Sequence, residues 1–161
     1  MAPGAYAFID GASFEPALRS MASKLNCTFD EIMWSALTRN AERIFYFDAL
    51  PVKKDSESVI DFERKLEDKK LMFAKLRRVP NLHVREGITR FRKNSNGPGL
   101  TQKGVDVALA VEVLSHAHRG TIHTARLFVS DLDFYPLLDA LTSTRVRSEL
   151  WYLPKKTAPE L

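Results

Sequence analysis

Three short apolar runs in this 161-residue chain each end in an aspartate: AYAFID closes on Asp10, RIFYFD on Asp48 and ARLFVSD on Asp131. Runs of this length without polar alternation read as strands buried on both faces, and such strands belong to parallel sheets. The stretches between them carry apolar residues at spacings of three and four, the helical period. Alternating strands and helices make a parallel sheet covered on both sides. In such a sheet the carboxyl ends of the strands meet at one edge, where ligands bind. Taken singly, each aspartate reads equally well as a turn residue or a helix cap. Their recurrence at the same place in the strand pattern makes the edge a candidate for cation binding or acid–base chemistry.

The rest of the chain fits around these runs. Helices are expected over 14–25, carried by Phe14, Leu18, Met21 and Leu25, and over 29–38, carried by Ile32, Met33, Ala36 and Leu37. A long amphipathic helix over 56–78 shows Val59, Phe62, Leu66, Phe73 and Leu76 on one face and a dense charged face that reads as solvated. A third short strand follows at 82–85. Residues 89–103, TRFRKNSNGPGLTQK, read as a mobile basic loop, because Asn-Ser-Asn-Gly-Pro-Gly sits at their centre. A helix over 105–118, VDVALAVEVLSHAH, is apolar nearly all round and is expected to be well buried, with Asp106 in its first turn. Glu112 lies six residues on, about 120° around the helix from Asp106, so the two share a face poorly. A helix over 134–142, a last strand over 146–153 and a short tail at 155–161 complete the chain, with residues 1–154 as one domain.

Composition narrows the function. A net charge of +4 permits a nucleic-acid partner. Cys27 is the sole cysteine, which excludes an intrachain disulfide and a cysteine-based zinc site. No apolar stretch reaches the length of a membrane span, and the first residues lack the charged start and apolar core of a signal peptide, so a cytoplasmic location is expected. In the basic segment Arg90, Arg92, Lys93 and Lys103 suit backbone phosphates, and Phe91 suits stacking on a base. An ordinary solvated surface explains them equally well.

Three blocks together, FIDGASF at 8–14, QKGVDVALAVEVL at 102–114 and FVSDLDFYPLL at 128–138, resemble the NYN domain family, the LabA-like branch of the PIN-like nucleases. The family's blocks have the form FIDGxN, KGVDVxLAxD and SGDSDFxPL in the same order, and HVREG at 83–87 fits the strand before its variable loop. The resemblance covers nearly the whole chain. It implies a PIN-like three-layer α/β/α fold with a mainly parallel central sheet and hydrolytic, metal-dependent cleavage of RNA, single-stranded RNA above all. Asp10, Asp106, Asp131 and Asp133 fall on the family's acidic positions, as catalytic groups and as ligands of Mg²⁺ or Mn²⁺. Around them Ser13, Asp48, Ser130 and Glu112 are expected as supporting residues, and Arg85, Arg90, Arg92, Lys93 and Lys103 as contacts to nucleic acid.

The chain departs from the pattern at three places. Ser13 stands where the family has Asn, Glu112 replaces the second Asp of the middle block, and SDLDF is one residue shorter than SGDSDF, with Leu132 for Ser. A Ser hydroxyl reaches less far than an Asn amide, so Ser13 is expected to aim the first aspartate only through a bridging water, and activity is expected to be weak. The alternative is a catalytically weak or inactive PIN-like module that binds nucleic acid or a protein partner. A homodimer also stays open. A haloacid-dehalogenase-like phosphatase ranks low, because its Asp-x-Asp would open the fold and here it comes near the end. A two-component receiver would need paired acids after the first strand, where Asp10 stands alone.

Overall fold

The computed structural model describes residues 4–28, 41–94 and 97–152, and over 88–103 the backbone alone. The expected helix over 29–38 and the tail at 155–161 lie outside the described residues. The elements run β1 (Gly4–Asp10), α1 (Gly11–Leu25), β2 (Arg43–Asp48), α2 (Val59–Leu76), β3 (Leu82–Glu86), β4 (Ile88–Asn94), β5 (Gly97–Lys103), α3 (Val105–His118), β6 (Ile122–Phe128), a 3₁₀ turn (Leu132–Phe134), α4 (Tyr135–Thr142) and β7 (Arg147–Trp151).

Five strands form one sheet in the order β3-β2-β1-β6-β7, and every pairing in it is parallel. Side chains alternate across a strand, and β1 feeds both layers of core. Tyr6 and Phe8 join Phe45, Phe47, Leu109, Val113, Leu137 and Leu141 on the α3–α4 side. Ala7 and Ile9 join Ile44, Tyr46, Phe14, Leu18, Met72, Phe73 and Leu76 on the α1–α2 side. Helices on both faces of a parallel sheet make the three-layer α/β/α architecture of PIN-like proteins. The strand order reverses between β1 and β6: β2 and β3 add to one side of β1, β6 and β7 to the other. A crevice opens at the carboxyl ends of strands at such a reversal.

Three elements differ from the sequence reading. Residues 88–94 and 97–103 pair as antiparallel strands, with Ile88 opposite Lys103 and Asn94 opposite Gly97, where a loop was expected over 89–103. Backbone pairing overrides the turn-forming composition there. In α3 only Leu109 and Val113 are buried, while Val107 and Val111 are exposed. The helix crosses β1, β2 and β6 along a narrow line, so an apolar surface all round does not mean burial all round. In α2 the buried residues are Met72, Phe73 and Leu76, all in the last turns, and Val59 stands exposed. The start of α2 thus runs past the edge of the core. It is held by its cap: Ser58 Oγ accepts from the Asp61 amide at 3.1 Å and donates to Asp61 Oδ2 at 2.7 Å.

Candidate active site at the reversal of the sheet

Asp10 ends β1 and caps α1. Its carboxylate accepts hydrogen bonds from the backbone amides of Ala12 and Ser13 at 3.3 and 3.1 Å, two donors that a helix start leaves free. The Ser13 hydroxyl donates to the same carboxylate at 2.5 Å and accepts from Ser130 Oγ at 2.7 Å. Ser130 follows β6, so the contact Asp10–Ser13–Ser130 spans the crevice between β1 and β6. This corrects the expectation of a bridging water. Helix α1 starts at Gly11, earlier than the apolar spacing suggests, which puts Ser13 in the first turn and within direct reach of Asp10.

Asp131 leaves β6 and caps the 3₁₀ turn, accepting from the Asp133 amide at 3.1 Å. Asp106 sits in the first turn of α3, after Gly104 in the left-handed conformation at φ 86°. Burial raises the Asp10 carboxyl above its ordinary value; the hydrogen bonds from Ser13 and Ala12 oppose that, and the charge of Asp131 adds to it. Asp106 is on the surface, yet the surrounding protein strips enough water to raise its carboxyl too, and the charges of Asp10, Asp131 and Asp133 raise it further. Asp106 therefore feels the other three carboxylates, and Asp10 feels Asp131. Among the described residues none of them forms an ion pair with Lys, Arg or His.

Asp48 and Glu112 are directed elsewhere. Asp10 pairs in register with Phe47, so it shares the α3–α4 face, and the next residue, Asp48, points to the α1–α2 face. There it accepts from Lys69 at 2.5 Å and from the hydroxyl of Tyr46 at 3.4 Å, and Lys69 also pairs with Glu15. Burial pushes the Asp48 carboxyl up to about 6, with Lys69 opposing the rise. Asp48 thus reaches the same edge as Asp10 but the opposite side of the sheet. Glu112 pairs with Arg85 at 2.9 Å and approaches His116 at 3.6 Å. Burial holds His116 below its ordinary pKa, and its ring packs against Tyr6, Phe8 and Phe45, as a core residue does.

Arg85 lies nearer the crevice than its place in sequence suggests. Asp10, Phe47 and Arg85 are successive register partners, so Arg85 is two strands from Asp10 on the same face, roughly 10 Å across the sheet. The side chains of Arg90, Arg92, Lys93 and Lys103 lie outside the described part of the structure, but their backbones form the hairpin that joins β3 to the start of α3. Sequence reasoning missed the Lys69–Glu15–Tyr46 cluster around Asp48. One signal was present: Tyr46 and Asp48, two apart in a strand, share a face. Lys69 carried none, since it lies on a charged helix face that looks solvated.

Carboxylates alone are hard oxygen donors, the chemistry that Mg²⁺ and Mn²⁺ prefer. Among the described residues, however, no three His, Cys, Asp or Glu side chains are gathered at a spacing that would hold a metal ion. The donor set fits such a cation in kind, and binding one would require the carboxylates to draw together.

A five-stranded parallel sheet between helices, with acidic residues at its reversal, is the arrangement of a PIN-like nuclease module. The profile of the NYN domain family matches residues 5–161, and the chain belongs to that family. No curated protein and no solved structure matches it. Among the described residues no helix is long and apolar enough to cross a membrane.

Proposed function

We propose that this NYN domain is a metal-dependent ribonuclease that hydrolyses phosphodiester bonds of single-stranded RNA, with Asp10, Asp106, Asp131 and Asp133 as its catalytic carboxylates. The observation that supports this most is that the charges of Asp10, Asp131 and Asp133 raise the Asp106 carboxyl, while among the described residues none of the four is in an ion pair. Like charges held together weaken a fold, so the arrangement calls for a ligand that removes the repulsion. A bound Mg²⁺ or Mn²⁺ would supply that charge, lower the pKa of a water and stabilise negative charge on the scissile phosphate.

The residues divide the work. Asp10 is the fixed group, its carboxylate aimed by the Ala12 and Ser13 amides and the Ser13 hydroxyl. Ser130 locks Ser13 from across the crevice. Asp106, Asp131 and Asp133 stand exposed around it and have the freedom to close on a cation. Arg85, steadied by Glu112, is placed to meet a phosphate on the same face. Arg90, Arg92, Lys93 and Lys103 of the hairpin would extend a positive track for the RNA backbone, offsetting the acidic crevice. The motifs resemble those of the LabA-like branch, and we read the protein as cytoplasmic.

One observation favours a second reading, a binding module without catalysis: no three acidic side chains are gathered at metal-binding spacing among the described residues. Cleavage of a labelled single-stranded RNA under single-turnover conditions in Mn²⁺ separates the two. The ribonuclease reading predicts cleavage by the wild type and a loss of at least about 100-fold in Asp106→Asn, the scale of removing a group that stabilises transition-state charge. Equal rates for both proteins, at the level of buffer alone, would overturn the ribonuclease reading and leave a module without catalysis.

A further inference from the structure

We propose that Tyr135 is a stacking platform for one base of the single-stranded RNA, set beside the carboxylates that act on its backbone; the proposal rests on the ribonuclease reading above. Asp131 caps the 3₁₀ turn Leu132–Phe134, and Phe134 is anchored in the core at 1% exposure. Pro136 lies in the first turn of α4 and fixes the start of that helix. The residues on either side of the buried Phe134 are therefore held in place. Aspartate at 133 is polar, but Leu132 and Tyr135 are large, apolar and turned outward, 46% and 53% exposed.

Neither side chain belongs to the buried core clusters. Among the described residues the Tyr135 ring stacks on no other ring, and its hydroxyl makes no hydrogen bond. A single exposed apolar residue needs no explanation. Here Leu132, Asp133, Tyr135 and Pro136 line one shallow depression, and Tyr135 follows Asp133 by two residues and Asp131 by four. A nucleotide whose phosphate approaches Asp131 and Asp133 has its base within reach of this surface. Stacking on an aromatic ring is open to every base, and only to bases that are not already paired and stacked in a duplex. The platform would therefore select single strands without reading their sequence.

The test measures equilibrium binding of a labelled single-stranded RNA and of the same oligonucleotide with abasic residues, by anisotropy, for wild type and for Tyr135→Ala, Tyr135→Phe and Tyr135→Trp. The wild type should bind the intact RNA roughly tenfold more tightly than the abasic one, the scale of one stacked base. Tyr135→Ala should bind both with the affinity that the wild type has for the abasic RNA, at an unchanged melting temperature, while Phe and Trp restore the preference. An intact-over-abasic preference that survives in Tyr135→Ala would overturn the proposal, as would self-association of the wild type that Tyr135→Ala abolishes, which would assign the surface to a second copy of the chain. A wild type that binds neither RNA would remove the RNA reading itself.

Discussion

Asp10 and Asp48 show how much a shift of one register position changes. Both end a strand at the same edge of the sheet, and both are nearly buried. One lies near the charges of Asp131 and Asp106; the other faces Lys69, Glu15 and Tyr46. That edge location was legible in the sequence, because an apolar run closing on an acid marks a strand end. The face was not. In β1 and β2 apolar residues occupy both parities, since the strands are buried on both sides, and no polar alternation remains to reveal direction. Ser13 was misjudged for a related reason: its reach depends on where α1 starts, and helix ends are poorly marked by apolar spacing. The buried Asp48 makes a prediction at this scale. Its folded pKa of about 6 lies above the ordinary 3.8, so between pH 4 and 6 the folded state binds more protons than the unfolded chain. This contribution to stability is complete at low pH and is lost as pH rises through 6. The loss is about 2–3 kcal/mol at neutral pH. Asp48→Asn keeps an acceptor for Lys69 and Tyr46 without the charge, and thermal melts across pH 4–7 should find the variant's stability falling less over that window than the wild type's. Parallel profiles would show that Lys69 compensates the buried charge fully.

Gly11 ties the two faces together at the level of elements. It begins α1 directly after Asp10, and a Cβ placed on it would lie 2.2 Å from Asp48 Oδ2 and 2.7 Å from the Tyr46 hydroxyl. The glycine between β1 and α1 is thus required by the close approach of β2's last carboxylate. Gly11→Ala should destabilise the fold by about 1–3 kcal/mol through overpacking, and Asp48→Ser in the same chain should recover much of it. Chemical denaturation of the single and double variants measures this; a Gly11→Ala protein as stable as the wild type would mean that the Asp48–Lys69 cluster can move aside freely. The elements that sequence reading misplaced share a cause. Asn, Ser, Gly and Pro in 89–103 mark turns by local preference, and only the partner strand makes them a hairpin. The apolar character of α3 gives a helix its presence but not its depth, because an exposed Val107 and a buried Leu109 look alike in a hydropathy pattern.

For the whole molecule, the doubly wound topology decides which acids can meet. Reversal of strand order between β1 and β6 sets Asp10 beside Asp131, although the two are 121 positions apart in the chain. Helix α3, packed across β1, β2 and β6, carries Asp106 to the same crevice. The alternation of strands and helices made the parallel sheet readable in advance, and the ordered motifs made the family readable. The hairpin leaves the sheet at this edge, so under the proposed function its basic residues would meet phosphates at the same end of the fold as the acids. Under the proposed function the crevice between β1 and β6 takes a divalent cation. A crystal soaked in Mn²⁺ and measured for anomalous scattering tests it most directly. A manganese peak bounded by Asp10, Asp106 and Asp131 is expected, with these carboxylates drawn closer than in the metal-free protein. Manganese bound instead at Glu15 and Asp48 on the opposite face, with the crevice empty, would contradict it.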